Sequence, residues 1–411
     1  MIRIISEEEA PTVLGRSVDR VGEAMGISAP IVADVRLRGD EALKEYRQRF
    51  DLVALDEPLY LDAGGELEAD LQQAVEQASR NIQSFAEAQL VTSWMSNFSD
   101  GRSLGQVVRP LNSVGVYVPA GRYPLISTLL MAVIPAQVAG VPNIVVACPH
   151  PSREILAVAK MLGVKQILHA GGAQAIAAMA YGTESVKPVQ RIVGPGNAYV
   201  AAAKKLVSQD VAIDFVAGPS EILIVASQGN AQWIAADMLA QAEHDVDARA
   251  ILLTTDKEFA VRVQAEIEIQ LSSLSTVQIA QRAIIDNSAI VVCDTTDSAF
   301  NLVNTIAPEH LSVEQKSDIE RVNSAGSIFV GQYSTEAAGD YASGPNHILP
   351  TAGNAAVRGG LSVNDFVKVI TVQELSKTAL RELEPAVTAL ARAEGLEAHA
   401  RSVETRNDAT A

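Results

Sequence analysis

The pattern of apolar and polar positions changes once along the chain, near residue 112. Up to about residue 110 the pattern is mostly helical; residues 66–89, for example, carry apolar side chains at helical spacing among acidic and amide residues. After residue 112, short β-branched runs alternate with amphipathic stretches. This alternation is typical of βαβ units built on a parallel sheet.

Two series of this alternation follow each other. The first predicts strands at 114–118, 144–147, 166–168 and 191–193, and helices at 129–140, about 152–163 and around 175–180. The second predicts strands at 221–225, 250–254, 289–292 and 327–330, and helices at about 231–244, up to about 271 and around 298–306. The chain is therefore expected to contain two α/β modules in tandem, joined near 217–219. From 363 onward the pattern predicts a strand or two and then a helix.

Composition and charge narrow the classes of function. The formal net charge of −17 repels phosphate backbones, so nucleic acid is not expected as a partner. No apolar stretch is long enough to span a bilayer and the acidic N-terminus lacks a signal core, so no membrane is expected and the cytoplasm is the expected compartment. Cys148 and Cys293 lie in apolar runs, which predicts buried strand residues rather than a disulfide or a cysteine metal site.

Four of the six histidines lie beside carboxylates or amides, where ligands and bases are found. Gln241 and His244, at the end of a predicted helix, are three residues apart and project from one face, so they could hold one metal ion together. The alternative is a helix C-terminus whose histidine interacts favourably with the helix dipole.

Glu309 and His310 follow a helix that Pro308 ends. Adjacent residues in a loop can address different atoms, so Glu309 could activate a water while His310 moves a hydroxyl proton. A surface turn is the alternative.

Residues 339–347 are expected to form a loop crowded with turn formers and hydrogen-bonding groups. Asp340 is a candidate oxygen ligand there, and His347 is a candidate substrate contact or second ligand. His399, near the C-terminus, is a candidate fourth ligand, although a lone histidine on a terminal helix is usually just exposed.

Two glycine-rich turns, Gly171-Gly172-Ala173-Gln174 and Gly194-Pro195-Gly196-Asn197, each follow a predicted strand and open a helix. Backbone N–H groups at such a helix start suit a phosphate or diphosphate. Neither turn completes the G-x-G-x-x-G fingerprint, because Tyr199 lies where the third glycine should come. The position of these turns between a strand and a helix therefore indicates nucleotide binding. The alternative is that the glycines serve only to form the turns.

An ordered set of segments spans nearly the whole chain: GVYVP at 115–119, GGAQAI at 171–176, GPGN at 194–197, AGPSE at 217–221, QAEH at 241–244, APEHL at 307–311, GDYASG at 339–344, NH at 346–347 and EGLEAH at 394–399. Any one could recur by chance, whereas the set in this order is highly specific. In these segments the chain resembles the histidinol dehydrogenase family.

The resemblance implies an α/β fold of two incomplete Rossmann-like modules with parallel sheets, plus a helical N-terminal region and a small C-terminal domain. The implied boundaries are an N-terminal arm at 1–14, a first, catalytic and zinc-binding domain at 15–115 and 220–362, a second, NAD-contacting domain at 116–219, and a small domain at 363–411. The small domain is expected to reach the partner subunit of a homodimer, so that the active site is shared between subunits.

The resemblance also implies a zinc-dependent, NAD-linked dehydrogenase that oxidises L-histidinol to L-histidine, the last step of histidine biosynthesis, with two NAD in succession and one zinc per subunit. On the matching positions, the implied zinc ligands are Gln241, His244, Asp340 and, from the partner, His399. The implied catalytic pair is Glu309 and His310. The implied NAD contacts are Tyr117, Gln174 and Asn197. The implied substrate contacts are Ser220, Gln241, His244, Glu309, His310, Asp340, His347, Glu394 and His399, with Glu394 also from the partner.

One amide, two imidazoles and one carboxylate without a thiolate form a ligand set that suits Zn²⁺ and leaves room for the amine and imidazole nitrogens of histidinol. In the implied mechanism, His310 removes the hydroxyl proton as hydride passes to NAD. The aldehyde stays bound, Glu309 activates a water to give the hydrate, and a second NAD takes the second hydride.

Three alternatives stay open at this point. A paralogue with the same zinc and NAD apparatus would oxidise another small polar alcohol, such as a sulfonated diol, although Glu394 favours a cationic substrate because a carboxylate repels an anion. A metal-dependent hydrolase would use Glu309 and a zinc-bound water without nicotinamide. A non-catalytic ligand-binding protein would leave the Glu309–His310 pair without a role.

Overall fold

The computed structural model of the chain describes residues 1–14, 20–120, 125–216 and 218–408, and the chain divides into two compact units. The larger unit comprises Met1–Gln89 and Asn112–Phe366, and the smaller unit comprises Leu90–Leu111 and Val367–Ala411. Three sequence predictions fall partly outside the described residues, namely the start of the first domain at 15, Ala217 in the segment 217–221, and the end of the C-terminal domain at 409–411.

The strands, in chain order, are β1 (Arg3–Ser6), β2 (Tyr60–Asp62), β3 (Trp94–Asn97), β4 (Arg102–Pro110), β5 (Ser113–Tyr117), β6 (Asn143–Ala147), β7 (Gln166–Leu168), β8 (Arg191–Val193), β9 (Ala212–Ile213), β10 (Glu221–Val225), β11 (Arg249–Thr254), β12 (Ala289–Val292), β13 (His310–Val313), β14 (Ser327–Val330) and β15 (Val367–Leu375). The α-helices are α1 (Ala10–Val13), α2 (Arg20–Arg38), α3 (Asp40–Asp51), α4 (Ala69–Gln89), α5 (Ile126–Val138), α6 (Arg153–Met161), α7 (Gly172–Tyr181), α8 (Ala198–Val207), α9 (Ala231–Ala242), α10 (Lys257–Leu271), α11 (Val277–Asp286), α12 (Thr296–Ile306), α13 (Glu336–Tyr341), α14 (Lys377–Ala393) and α15 (Glu397–Asp408). Short 3₁₀ helices cover Lys316–Arg321, Asn354–Ala356 and Val363–Phe366.

The first sheet of the larger unit has six parallel strands in the order β1-β12-β11-β10-β13-β14. Its strand β10 is buried at every position. Successive side chains of a strand face opposite sides, and Ile222 and Ile224 accordingly pack into one apolar core while Leu223 and Val225 pack into another. Helices α9, α10 and α11 contribute to the first of these cores and α12 to the second. This covering of both faces explains why the strands read as continuous apolar runs.

The second sheet of the larger unit has the order β2-β7-β6-β5-β8-β9, in which β2 alone is antiparallel to its neighbour. Helices α2 and α3 pack against α7, and α2 also packs against α8. Residues 20–62 therefore contribute to the layer of the second sheet, whereas the expected boundaries group 15–115 with 220–362. Those domain boundaries stay a prediction.

The smaller unit consists of an antiparallel sheet in the order β15-β4-β3 and the helices α14 and α15. Strand β4 pairs with β15 over nine residues, from Arg102 opposite Leu375 to Pro110 opposite Val367. Strands β3 and β4 were not predicted from the sequence. Their pattern lacks a clear apolar face, since every residue of β3 is exposed, and the strand that pairs with β4 lies near the far end of the chain.

The predicted α/β fold with parallel sheets is confirmed. Strands β7, β8, β10, β12 and β14 have the predicted bounds. Two local expectations were wrong: residues 339–341 end helix α13 instead of lying in a loop, and His310 begins strand β13. Within the described ranges, every helix is too short or too polar to cross a bilayer.

Candidate active site

Glu309 and His310 lie at the amino end of β13, between β10 and β14. The chain enters this position from α12 through Ala307, which takes a left-handed conformation with φ of 51° and ends the helix. Ile222 of β10 and Ser327 of β14 flank His310 in register. This edge differs from the carboxyl edge at which open parallel sheets usually bind ligands.

The backbone of Glu221 holds both residues of the pair. Its N–H donates to Oε2 of Glu309 at 2.9 Å, and its carbonyl oxygen lies 3.1 Å from Nδ1 of His310. A carbonyl only accepts, so Nδ1 carries a proton, and Nε2 has a lone pair when the imidazole is neutral. Nε2 is buried, has no hydrogen-bond partner and lies 3.5 Å from Oδ1 of Asp340. His310 is thus arranged as a base whose free nitrogen points toward the candidate metal ligand.

Burial and neighbouring carboxylates shift the pKa values of Glu309 and His310. Glu309 and His310 are 5% and 3% exposed. Desolvation raises the pKa of Glu309, which favours its protonated form. Desolvation works against the charged form of His310, but the carboxylates of Glu309 and Glu336 outweigh it and raise the pKa of the imidazole. The two side chains are therefore coupled, with Nδ1 of His310 only 3.7 Å from Oε2 of Glu309.

Asp340 is the point at which several of the expected ligands converge. Burial alone would raise the pKa of this carboxyl, but the imidazoles of His310, His347 and His244 lower it instead. The Asp340 backbone carbonyl also lies 2.7 Å from Nδ1 of His347. Burial lowers the pKa of His347, which favours the neutral imidazole, the form that can bind a metal ion.

Gln241 and His244 lie at the end of α9, as the sequence predicts. Gln241 is fully buried, and its Oε1 has no hydrogen-bond partner. Its Nε2 is 3.4 Å from Nδ1 of His244, whose own side chain is exposed. An unpartnered buried carbonyl oxygen costs free energy unless something binds it, so the oxygen fits a metal ion.

Glu336 is a residue of this site that the sequence analysis missed. It begins α13, is 4% exposed, and places Oε1 3.8 Å from Nδ1 of His310 while its Oε2 has no partner. Burial raises the pKa of Glu336. His310, Glu336 and Asp340 offer ligand atoms within 4.8 Å of one another, so they too form a group that could hold a metal. The available signal was spacing, because Glu336 precedes Asp340 by one helical turn.

The three remaining residues expected to contact substrate lie in different parts of the chain: Ser220 is in the larger unit, and Glu394 and His399 are in the smaller unit. Ser220 directly precedes Glu221, and its carbonyl accepts from the N–H of Arg249 at 3.1 Å. Glu394 ends α14 and His399 lies in α15, so both belong to the smaller unit, where both are exposed.

The expected NAD contacts surround the starts of α7 and α8 in the second sheet layer. Tyr117 ends β5, and its hydroxyl accepts from the N–H of Gly172 at 3.1 Å. Gln174 donates through Nε2 to Oδ2 of Asp51 at 3.2 Å. Asn197 caps α8 by accepting from the backbone N–H groups of the two residues after Ala198.

Two backbone N–H groups of the glycine-rich turns, which were expected to suit a phosphate, are bound by carboxylates of the protein. The N–H of Gly171 is already bound by Asp51 at 2.9 Å, and the N–H of Gly194 by Asp214 at 2.8 Å. These two N–H groups are therefore not free to bind a diphosphate. The buried carboxylate of Asp51 thus binds both the N–H of Gly171 and the side chain of Gln174.

A buried acid–base pair beside an amide, imidazole and carboxylate set that fits zinc defines an α/β enzyme with a metal-assisted acid–base site. Comparison with known proteins identifies which one. The family model "Histidinol dehydrogenase" matches residues 15–407. The chain belongs to the histidinol dehydrogenase family.

Individual relatives agree. The chain is 48% identical over 391 residues to histidinol dehydrogenase of Geobacillus kaustophilus (strain HTA426), covering 92% of each chain. It is 44% identical over 409 residues to histidinol dehydrogenase of Bacillus subtilis (strain 168), covering 96% of each. The crystal structure of histidinol dehydrogenase from Elizabethkingia anophelis superposes with a TM-score of 0.94 at 36% identity, covering 98% of each chain.

The family consists of NAD-linked oxidoreductases that use zinc. The predicted family, enzyme class and cofactors are confirmed at this level. The roles of the individual site residues stay predictions.

Proposed function

We propose that this enzyme oxidises L-histidinol, through bound L-histidinaldehyde, to L-histidine with two NAD, the last step of histidine biosynthesis. Family membership supports the reaction. The observation that carries it is the buried Glu309–His310 pair, whose free Nε2 faces Asp340.

The first oxidation requires a base for the alcohol proton. The Nδ1–H of His310 donates to the Glu221 carbonyl, so Nε2 accepts the hydroxyl proton while the carbinol hydrogen leaves as hydride to NAD. The product is the aldehyde, and NAD is reduced to NADH.

The second oxidation requires a water molecule. Glu309 takes a proton from water while the oxygen of that water adds to the aldehyde carbon, which gives the anion of the hydrate. The second hydride then leaves this anion to a second NAD, and the acid results. The Glu221 N–H that binds Glu309 keeps this carboxylate beside His310, so both half-reactions share one substrate position.

Zinc would be held by Gln241, His244, Asp340 and the partner subunit's His399, and it would supply Lewis acidity and orient the amine and imidazole of the substrate. Ser220, His347 and the partner subunit's Glu394 are proposed as further substrate contacts. This assignment places the site between two subunits of a homodimer. We propose the cytoplasm as the location, because the reaction draws on its pool of NAD.

The charge of the site favours a cationic substrate over the sulfonated diol of a paralogue. Glu309, Glu336 and Asp340 all lie around His310. An anionic sulfonate would meet the carboxylate of Asp340, whose pKa is lowered, whereas the ammonium group of histidinol would be attracted to it.

The experiment that tests this assignment follows the two half-reactions separately. We expect Glu309→Gln to slow the oxidation of added L-histidinaldehyde by about 100-fold or more, as loss of a general base does, and to slow the alcohol step far less. Glu320→Gln, which changes an exposed glutamate on the short helix after β13, is the matched control and should leave both rates unchanged. An equal loss in both half-reactions would contradict the assigned role of Glu309.

A further inference from the structure

Lys204 and Asp214 form an ion pair in the interior of the second sheet layer, although the proposed mechanism uses neither. Lys204 lies in α8 and Asp214 follows β9, and each is 2% exposed. Burying two charges costs desolvation free energy that their attraction only partly repays. Packing alone therefore does not account for the ion pair, and the groups that the two side chains bind indicate what it does.

Both side chains bind the same glycine. The Nζ of Lys204 donates to the carbonyl oxygen of Gly194 at 2.9 Å, and the N–H of Gly194 donates to Oδ2 of Asp214 at 2.8 Å. The other oxygen of Asp214 accepts from the N–H of Phe215 at 2.6 Å and contacts Nζ of Lys204. The ion pair thus fixes the peptide groups on both sides of Gly194.

Gly194 opens the turn that connects β8 with α8. Its φ of +113° is a conformation that side chains rarely adopt, and a Cβ there would lie 2.1 Å from the carbonyl oxygen of Tyr117. Three residues later the same turn ends at Asn197. The backbone conformation of Gly194 therefore sets the distance between Tyr117 and Asn197, two residues expected to contact NAD.

We propose that Lys204 and Asp214 are positioning residues for NAD, which hold the Gly194–Asn197 turn against Tyr117 in the geometry that binds the dinucleotide. The inference rests on the proposed function and on the NAD contacts that the family resemblance implies for Tyr117, Gln174 and Asn197. Neither residue touches NAD itself. Their effect passes through the backbone of Gly194.

The first variant is Lys204→Met, which fills a similar volume without a donor. We expect the Kd of NAD for the zinc-loaded enzyme to rise about tenfold, as the loss of a charge-assisted hydrogen bond predicts. The Kd of L-histidinol and kcat at saturating NAD should stay within about twofold of wild type. Lys205→Met changes the exposed neighbouring lysine of the same helix and should leave all three values unchanged.

A second variant separates positioning from stability. Lys204→Met leaves Asp214 as an uncompensated buried charge and is expected to lower Tm. The double variant Lys204→Met with Asp214→Asn removes that charge, so Tm should recover toward wild type. The Kd of NAD should stay about tenfold raised, because the Gly194 carbonyl still lacks its donor. A double variant with a wild-type Kd of NAD would overturn the proposal.

One more variant separates this inference from the NAD site on which it rests. Asn197→Asp keeps the oxygen that caps α8 and adds a negative charge beside the expected diphosphate. If Asn197→Asp leaves the Kd of NAD unchanged, the proposed NAD site is wrong. If Asn197→Asp weakens NAD binding and the double variant does not, the site stands and only the positioning role fails.

Discussion

At the scale of single residues, buried carboxylates determine the chemistry of the site. Burial raises the pKa of Glu309 and Glu336 and of the half-buried Asp237, and neighbouring carboxylates raise the pKa of Glu309 and Glu336 further. An enzyme gains a base near neutral pH from such an arrangement and loses stability by keeping charged groups out of water. In the sequence, Glu309 stood out as the neighbour of His310, and Asp340 as an oxygen ligand in a segment crowded with turn formers. The sequence could not identify Asp237, because its burial follows from helix packing.

Asp237 gives a pH-dependent prediction for stability. Burial raises its pKa to about 6 in the folded protein, above about 4 in the unfolded chain. Between these values the unfolded chain is ionised while the folded protein holds the proton, so stability falls as pH rises through this window. Asp237→Asn removes the dependence. It should match wild type near pH 4 and be more stable at pH 7.5.

Thermal unfolding at the two pH values measures this difference. After allowance for partial solvent exposure, we expect a gain of roughly 1 kcal/mol at pH 7.5, about 1–2 °C in Tm. Asp56→Asn changes an exposed carboxylate and is the control. A Tm gain for Asp237→Asn that is equal at both pH values would contradict the assignment.

At the scale of elements, close backbone approach positions the catalytic pair. The N–H of Gly326 donates to the carbonyl of Pro308 at 2.9 Å, and the next N–H, that of Ser327, donates to the carbonyl of Glu309 at 2.9 Å. A Cβ on Gly326 would lie 2.5 Å from the Glu309 carbonyl oxygen. The start of β14 can therefore lie beside the Glu309 backbone only because residue 326 has no side chain.

Gly326→Ala should displace Glu309 and His310 together. We expect kcat to fall about 10- to 100-fold, because a shift of about 1 Å at a reacting group costs this much, while the zinc content stays normal. Gly359→Ala is the matched control, since a Cβ there would meet nothing within 4 Å. Steady-state kinetics measure kcat for both variants. A wild-type kcat in Gly326→Ala would contradict the claim that Gly326 positions Glu309 and His310.

Elements differ in how far the sequence predicts them. The strands of the two parallel sheets are continuous apolar runs, and their bounds followed from local pattern, as for β10 and β12. The last three residues of helix α13, 339–341, were expected to lie in a loop, because the segment 339–347 is crowded with turn formers. The N-cap of α13, Thr335, accepts from the N–H of Ala338 and stabilises this short helix, a signal that the turn-rich residues after it obscured.

At the scale of the whole molecule, the residues proposed for the active site belong to both compact units, and those of the smaller unit are proposed to come from the partner subunit. Local patterns of apolar and polar residues do not report which distant strands pair, so the pairing of β4 with β15 was not predicted. Glu394 and His399 belong to the same unit as these strands, and only the family resemblance pointed to them. A homodimer that exchanges these residues is a prediction that mixed dimers can test.

Co-expression of His310→Asn with His399→Asn tests the shared site. A mixed dimer contains one subunit of each variant. If His399 serves the partner's site, one of its two sites carries both changes and the other site carries neither, so the second site is active. Random pairing should therefore restore about a quarter of wild-type activity, whereas each variant alone is inactive. If His399 served its own chain, every site would carry one change and the mixture would stay inactive.

The most direct test of the central claim is the amount of NADH formed per L-histidinol consumed, with zinc-reconstituted enzyme and NAD in excess. The account predicts two NADH per histidinol, with L-histidine as product, and loss of this activity with a chelator and recovery with zinc. No NADH from L-histidinol, in protein shown to be folded and zinc-loaded, would contradict it.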